Sequence, residues 1–347
     1  MKMMQRNKPI VRFYMKFLLL VMPLPVLVGL YIHADPFMVI RSYEDYDHSI
    51  VCQNEGTVGW MKYKKQRDSQ HYDAFLMGTS CTMSISCADW NQYIHAHPFR
   101  FFSNAEGLGD LCLKLEALDR QPHQPVRHLL IVAERYFFEK PNPQGGIMHV
   151  MPADVSHKSP VSIQTAYLQG FFSPEYLFPY LKYQLTGRYD RSMNGIINTV
   201  VPTRTRWTND AVLHIEDSVR LLGERFWTSP NWVNIKQRGR KVTVAPRVIV
   251  SEQMVKLRQI RDFCRRHQTD VNIIVCPSYD LEQLHPQDIE SLHHVFGQNH
   301  VFDFTRDTSM TDYHYYYDRF HFRPLIGQRI LRTIAQTAWK DTKTTPR

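Results

Sequence analysis

The chain has 347 residues, enough for one large domain with an insertion or for two smaller domains. Its 43% hydrophobic and 12% aromatic content excludes an intrinsically disordered protein. The formal net charge is +9, but five basic residues near the N-terminus supply more than half of it, which leaves 37 basic against 33 acidic residues. The body of the chain therefore lacks the basic excess typical of nucleic-acid-binding proteins, and we expect no nucleic-acid partner.

An uncharged apolar stretch lies close to the N-terminus. Residues 17–32 read FLLLVMPLPVLVGLYI, and 13–15 extend the stretch to about the 20 residues that span a bilayer. Basic residues precede it and acidic residues follow it, so the positive-inside rule places the N-terminus in the cytoplasm and exports the body. We predict a basic tip and single-pass anchor at 1–32, in which two prolines bend the helix. The alternatives are a signal peptide cleaved near Ala34 and a buried core helix.

A polar linker is predicted at 33–70, and apolar runs then alternate with helical patterns. Strands are predicted at 73–77, 100–103, 128–138, 272–276 and 300–304. Helices are predicted near 83–94, 108–118, 251–267, 288–296 and 324–339. This alternation predicts a doubly wound α/β domain, with a mainly parallel five-stranded sheet covered by helices on both faces.

The alternation is interrupted between 139 and 245. This segment is rich in Pro and aromatic residues and has short helical patches such as 175–185. We interpret it as a mostly helical insertion or cap, which divides the α/β domain into 71–138 and 246–347. The sequence indicates no chemistry for the insertion.

Ser80 follows the first predicted strand and precedes a helix. Ligands of parallel sheets bind outside the carboxyl ends of the strands, so this position is favourable for a catalytic group. A hydroxyl here can be exposed, and the backbone N–H groups that follow can stabilise an oxyanion. By itself, Gly78-Thr79-Ser80 is a weak signal and is more typical of a helix cap than of a catalytic site.

Asp318 and His321 lie in the last loop before the final helix. A carboxylate three residues ahead of a histidine can bond one imidazole nitrogen and leave the other to act as a general base. Because this loop and Ser80 fall at the same edge of the predicted sheet, we predict a Ser80–His321–Asp318 triad. Cys81 is a rival nucleophile, and His314 is a rival base that lacks an acid at the matching offset.

These motifs together resemble the SGNH hydrolase superfamily. Within it, the chain is similar to the membrane-anchored bacterial branch that includes the D-alanyl transfer protein of teichoic acid assembly and the alginate O-acetylation proteins. The resemblance covers 71–138, 246–340 and the anchor, and implies a three-layer, flavodoxin-like fold. The matching runs are DAFLMGTSCTMS, FFSNAEGLG, LLIVAERYFF, NIIVCPS, VFDF and YYYDRFHFRPLIGQRIL.

The resemblance implies an acyl-Ser80 intermediate and an oxyanion hole. The N–H of Ser80 would contribute to that hole, with the N–H of Gly107 or, as the alternative, Gly109. Asn104 would order this second loop. The family also offers an Asn side chain after the third strand, where this chain has Glu134-Arg135 instead. The hole is then either incomplete, or Arg135 substitutes for the amide electrostatically, and Glu134 is equally a candidate structural acid.

No zinc-like spacing connects the six cysteines and seventeen histidines, so we expect no metal and no other cofactor. Sequence leaves open whether any two of Cys52, Cys81 and Cys87 form a disulfide in an oxidising compartment.

The resemblance implies one of three functions. The first is an extracytoplasmic O-acyltransferase in the cytoplasmic membrane, which modifies an envelope glycan and receives acyl groups from a multi-spanning membrane O-acyltransferase. The second is an esterase or deacylase of envelope esters that uses the same triad. The third is a catalytically degenerate envelope scaffold.

Overall fold

The computed structural model describes residues 8–237 and 240–339. At its centre is a parallel five-stranded sheet with the strand order β2-β1-β3-β5-β7. The short strands β4 and β6 pair with each other outside it. The strands are β1 Ala74–Gly78, β2 Pro98–Phe102, β3 His128–Ala133, β4 Thr243–Val244, β5 Asp270–Val275, β6 Glu282–Gln283 and β7 Val301–Asp303.

Helices precede, connect and follow the strands. The first seven are α1 Lys8–Val21, α2 Pro23–Ala34, α3 Glu55–Gln70, α4 Cys87–Ile94, α5 Leu108–Asp119, α6 Arg135–Phe138 and α7 Ala153–Ser156. The others are α8 Pro160–Phe171, α9 Pro174–Thr186, α10 His214–Leu222, α11 Pro230–Gln237, α12 Ser251–His267, α13 Pro286–Phe296 and α14 Pro324–Thr337. Short 3₁₀ helices occur at Ser80–Ser84, Arg191–Met193, Gly223–Thr228, Gln298–His300, Thr308–Met310 and Tyr313–Tyr315.

Helices cover both faces of the sheet, which confirms the predicted α/β arrangement. Successive side chains of a strand point to opposite faces. Phe75 and Met77 of β1 accordingly pack with α3, α5, α12 and α13, whereas Ala74 and Leu76 pack with α4 and α14. The strand order changes direction between β1 and β3, and this switch point opens a crevice at the carboxyl edge of the sheet.

Two predicted boundaries are wrong. Residues 55–70 of the predicted linker 33–70 form α3, and Trp60 and Tyr63 of this helix are completely buried against the sheet. The predicted strand 128–138 ends at Ala133, and the chain turns at Glu134 into the short helix α6. The apolar run was long enough for one strand, but it contains a strand and a helical turn.

The apolar segment near the N-terminus is helical. Among the described residues, Ile10–Ala34 is one segment long and apolar enough to cross a membrane, with a mean hydropathy of 2.1. It consists of α1 and α2, which are separated at Met22 next to the two prolines that predict a bend. Its length and composition fit a membrane anchor or a signal sequence.

Candidate active site

Ser80 lies on a sharp turn between β1 and a 3₁₀ helix. At Gly78 the chain adopts a φ of +137°, and a Cβ atom there would lie 2.0 Å from the Val132 carbonyl oxygen. Only glycine tolerates this combination of backbone angle and close approach. The Thr79 N–H donates to the same carbonyl at 3.2 Å. Because β1 is held so closely to β3, the chain must turn at once, and Ser80 is left partly exposed at the switch point.

A small loop after β7 carries the other two predicted residues. Tyr316 and Phe322, both fully buried, pair in an antiparallel bridge at its base. The Tyr317 N–H donates to the His321 carbonyl at 2.9 Å and closes the loop. Asp318 and His321 lie at the tip, above a base that the core holds in place.

The structure brings Ser80, His321 and Asp318 together in one chain of hydrogen bonds. Ser80 Oγ lies 2.8 Å from His321 Nε2, and His321 Nδ1 lies 2.8 Å from Asp318 Oδ2. Asp318 Oδ1 accepts the N–H groups of Phe320 at 2.7 Å and His321 at 3.0 Å. The carboxylate is therefore fixed by its own loop, and it holds the imidazole with one nitrogen toward the serine.

The charges around the triad favour a basic histidine. Burial alone would lower the pKa of His321, but the hydrogen bond and charge of Asp318, with a contribution from Glu134, raise it above its ordinary value. Burial would likewise raise the pKa of Asp318, but its hydrogen bonds with His321 and the loop N–H groups lower it. Asp318 is thus ionised at neutral pH, and an ionised carboxylate in this position can stabilise a protonated imidazole.

One predicted oxyanion donor is available and another is not. Among the described residues, no group accepts a hydrogen bond from the Ser80 N–H, which opens the 3₁₀ helix. The Gly107 N–H, in contrast, donates at 3.1 Å to Asp110, because Gly107 is the N-cap of α5. The alternative donor, the Gly109 N–H, bonds the Lys140 carbonyl at 3.0 Å. Asn104 is exposed. In this arrangement neither glycine offers a free donor, contrary to the expectation.

Arg135 is not free to replace the missing amide. Its guanidinium is paired with Glu282, at 3.1 Å from Nε, and with Glu139. Glu134, the preceding residue, accepts a hydrogen bond from the Cys81 thiol at 3.1 Å. Two carboxylates therefore balance the charge of Arg135, and Glu134 bonds the residue next to Ser80 rather than offering a donor to an oxyanion hole.

The two rival residues have other partners. Cys81 is fully buried, and a hydrogen bond with Cys276, burial and the charge of Glu134 all raise its pKa, which disfavours a thiolate. All six cysteines fall within the described residues, and they are free of disulfides. The imidazole of His314 lies 2.6 Å from Asp312 on one side and 2.6 Å from Glu224 on the other. Neither residue competes for the role of Ser80 or His321 in this arrangement.

The insertion braces the triad loop, which sequence reasoning missed. The indole N–H groups of Trp227 and Trp232 donate to the carbonyls of Tyr316 at 3.0 Å and Tyr317 at 2.9 Å. Both tryptophans are buried. The high aromatic content of the insertion was the only sequence signal for this contact, and it does not indicate which loop the tryptophans bond.

An ion pair adds a second brace from the insertion. Both oxygens of Glu216, in α10, accept hydrogen bonds of 2.8 Å from the Arg323 guanidinium. Arg323 immediately follows the triad loop and also donates to the His314 carbonyl at 2.9 Å. The insertion thus holds the loop on two sides.

A polar cavity of about 340 Å³ lies beside the triad, at the carboxyl ends of β3 and β5. Its lining includes Glu134, the Arg135–Glu282 pair and Ser278. A second ion pair, Arg319 with Asp280, also lines it, with a hydrogen bond of 2.8 Å from Nε. The exposed rings of Tyr136 and Phe320 complete the lining.

Among the described residues, no group of three or more His, Cys, Asp or Glu side chains is arranged to hold a metal ion. A comparison with models of known protein families gives no match, and a comparison with curated proteins gives none either.

Proposed function

We propose that this protein is a membrane-anchored, extracytoplasmic serine O-acyltransferase of the SGNH type that acts on a cell-envelope glycan. The observation that carries the proposal is the hydrogen-bonded chain from Ser80 through His321 to Asp318. The parallel sheet and the position of Ser80 at its switch point support it further. The segment Ile10–Ala34 would be the anchor in the cytoplasmic membrane, with the N-terminus in the cytoplasm.

The reaction would proceed in two half-reactions. Ser80 Oγ attacks the acyl carbonyl while His321 Nε2 takes the hydroxyl proton, and the leaving group departs with that proton. The N–H of Ser80 stabilises the oxyanion. An acceptor hydroxyl then attacks acyl-Ser80, its proton passes to His321 and on to Ser80, and the acyl group ends on the acceptor. A multi-spanning membrane O-acyltransferase is the proposed donor of acyl groups.

The polar cavity is the proposed acceptor site. Sugars are commonly held by aromatic rings on one side and by paired charges that accept and donate hydrogen bonds on the other. Tyr136 and Phe320 would supply the rings, and Asp280 and Glu282 the acceptors. Tyr136→Ala should then lower transfer to a glycan without lowering acylation of Ser80. Tyr189→Ala, at another ring of similar exposure (43% against 44%), is the matched control.

The proposal is tested with the purified full-length chain in detergent. A fluorophosphonate probe should label the protein, and mass spectrometry should place the adduct on Ser80. Ser80→Ala should abolish labelling, and Cys81→Ala should retain it. Full labelling of Ser80→Ala would contradict the triad, and a folded wild-type protein that never labels would favour the scaffold alternative.

Product analysis separates the transferase from the esterase, because water and a sugar hydroxyl compete for the same acyl-enzyme. The chain is incubated with an activated acetyl ester, with and without an envelope glycan. Acetylated glycan supports transfer, whereas free acetate alone, in equal amounts with and without glycan, supports the esterase alternative.

A further inference from the structure

The final turns of the apolar N-terminal segment pack against the insertion. Leu27, Leu30 and Tyr31 lie on one face of α2 and join a cluster formed mainly by α8 and α9. The Tyr31 ring lies 5.4 Å from that of Phe171, and its hydroxyl donates to Gln164 at 3.1 Å. We call this the insertion cluster. It fixes α8 and α9 to the end of the segment from which the body emerges.

This packing determines the depth of the insertion if the segment spans a bilayer. Ile10–Ala34 has 25 residues. At 1.5 Å per residue this is roughly 37 Å, longer than the ~30 Å hydrocarbon core. The last few residues of α2 would therefore lie among lipid headgroups, and the helices that pack against them would lie at the same level.

The outer face of α9 has the composition of a helix that lies in such an interface. Tyr176 and Tyr180 point into the insertion cluster, whereas Phe178 and Leu185 are 67% and 85% exposed. These two residues are seven positions apart, which places them on one face with Lys182 between them. Burial of a large apolar side chain such as Phe or Leu is favourable, so apolar side chains left this exposed next to each other mark contact surfaces.

Basic residues surround this apolar face. Lys182, Arg188 and Arg191 are exposed, and the nearby acids are Glu175 and Asp190, the latter paired with Lys182. On α8, Val161 adds another apolar side chain that is 76% exposed. Apolar side chains next to an excess of basic ones are typical of helices at the surface of an anionic bilayer.

We propose that α9 is a second membrane contact, which lies in the headgroup region with Phe178 and Leu185 among the acyl chains. The proposal rests on the membrane anchor of the proposed function and not on its chemistry. We assign the lipid bilayer as the partner of this face, because the insertion cluster joins α9 directly to the end of the proposed membrane helix α2. Two contacts would prevent the exported body from swinging freely about a single helix.

Site-directed spin labelling of the full-length chain in vesicles of phosphatidylethanolamine and phosphatidylglycerol tests the proposal. Leu185→Cys carries the label at α9. Leu221→Cys, on α10, is the matched control, because Leu221 is also 85% exposed and its helix packs in the cluster beneath the triad. Leu18→Cys reports whether the anchor itself is inserted. Five native cysteines are buried and Cys52 is partly buried, so the unmodified chain supplies the background signal.

The label at 185 should collide several-fold less often with a water-soluble nickel complex, and more often with oxygen, than the label at 221. Equal accessibility of 185 and 221, with 18 in lipid, would overturn the second contact and leave the anchor standing. If the label at 18 is exposed to water, the anchor and the second contact both fail, while Ser80 labelling still tests the chemistry separately.

Discussion

Arg100 Nε donates a hydrogen bond of 3.1 Å to Thr82 Oγ1, and this contact joins β2 to the turn that carries Ser80. Both side chains are buried, and the guanidinium also lies 3.8 Å from the centre of the Phe102 ring. Burial lowers the pKa of Arg100 to about 10, so the group remains charged at neutral pH. A buried cation thus holds in place the turn that carries Ser80.

Thr82→Val should destabilise the protein and slow acylation of Ser80. It removes the acceptor of the Arg100 Nε–H and the hydroxyl that donates to Thr79 at 2.8 Å. A buried donor without a partner costs about 1–3 kcal/mol. Urea unfolding and the rate of fluorophosphonate labelling measure the two effects. Thr333→Val, at an exposed position of α14, is the control and should stay within about 0.5 kcal/mol of wild type. Equal effects of the two substitutions would rule out a special role for Thr82.

The rate of Ser80 labelling should rise with pH, because only neutral His321 can accept the serine proton. Asp318 and Glu134 raise the pKa of His321 above 6.5, so the midpoint should lie above 6.5. Asp318→Asn removes the main group that raises the pKa of His321, whereas the burial that lowers this pKa remains. The midpoint of the pH profile should therefore move down, and the maximal rate should fall about 10⁴-fold.

Glu134→Gln is the graded control for this pH dependence. Its midpoint should also move down, by less than in Asp318→Asn, with the maximal rate largely kept. Where labelling is too slow to follow, NMR titration of the His321 ring supplies the midpoint. An unchanged midpoint in Asp318→Asn would contradict the assigned role of this carboxylate.

Gly327→Ala should displace α14 from the Ser80 turn. A Cβ atom at Gly327 would lie 1.8 Å from the Ser84 carbonyl oxygen, which belongs to rigid backbone. Overpacking of this kind costs about 1–3 kcal/mol, and we expect slower labelling of Ser80 as well. Gly145→Ala is the control, because no atom lies within 4 Å of its added Cβ. A fully stable and reactive Gly327→Ala would show that the helix moves without disturbing the turn.

Trp232→Phe should loosen the triad loop. Phenylalanine keeps an aromatic ring but loses the N–H that donates to the Tyr317 carbonyl at 2.9 Å. The buried carbonyl left without its partner should cost about 1–3 kcal/mol in unfolding free energy and reduce labelling of Ser80. Trp207→Phe, at a ring that is 47% exposed, should leave both quantities near wild type. If both substitutions behave alike, the insertion does not support the loop in the way proposed.

The main fold elements could be predicted because their signals are local. Short apolar runs such as 272–276 predict buried parallel strands, and the helix at 251–267 has apolar residues at helical spacing. Helix α3 was missed because its sequence, EGTVGWMKYKKQRDSQ, is dominated by glycines and charged residues. Half of its residues are buried, but most of these are glycine or polar residues, so the packing against β2 cannot be recognised from an apolar pattern.

The candidate site divides in the same way. The spacing of Asp318 and His321 is a property of one loop, and Ser80 stands at the end of a recognisable strand. Whether Gly107 can serve as an oxyanion donor depends on whether its N–H already has a hydrogen-bond acceptor. In the structure it does, because this N–H donates to Asp110 at the start of α5. The presence of a glycine at position 107 does not show in the sequence that its N–H is already hydrogen-bonded.

The sequence by itself determined an apolar N-terminal segment, an alternating α/β pattern, and the three residues of the predicted triad. Only the tertiary structure decided that Ser80 Oγ lies 2.8 Å from His321 Nε2, although the two residues are 241 positions apart. It also decided that Trp232 and Glu216 brace the triad loop, and that Arg135 is neutralised by its neighbours. The physical reason is range: strand and helix patterns arise from neighbours along the chain, whereas hydrogen bonds and ion pairs across the crevice arise only when the sheet brings distant segments together.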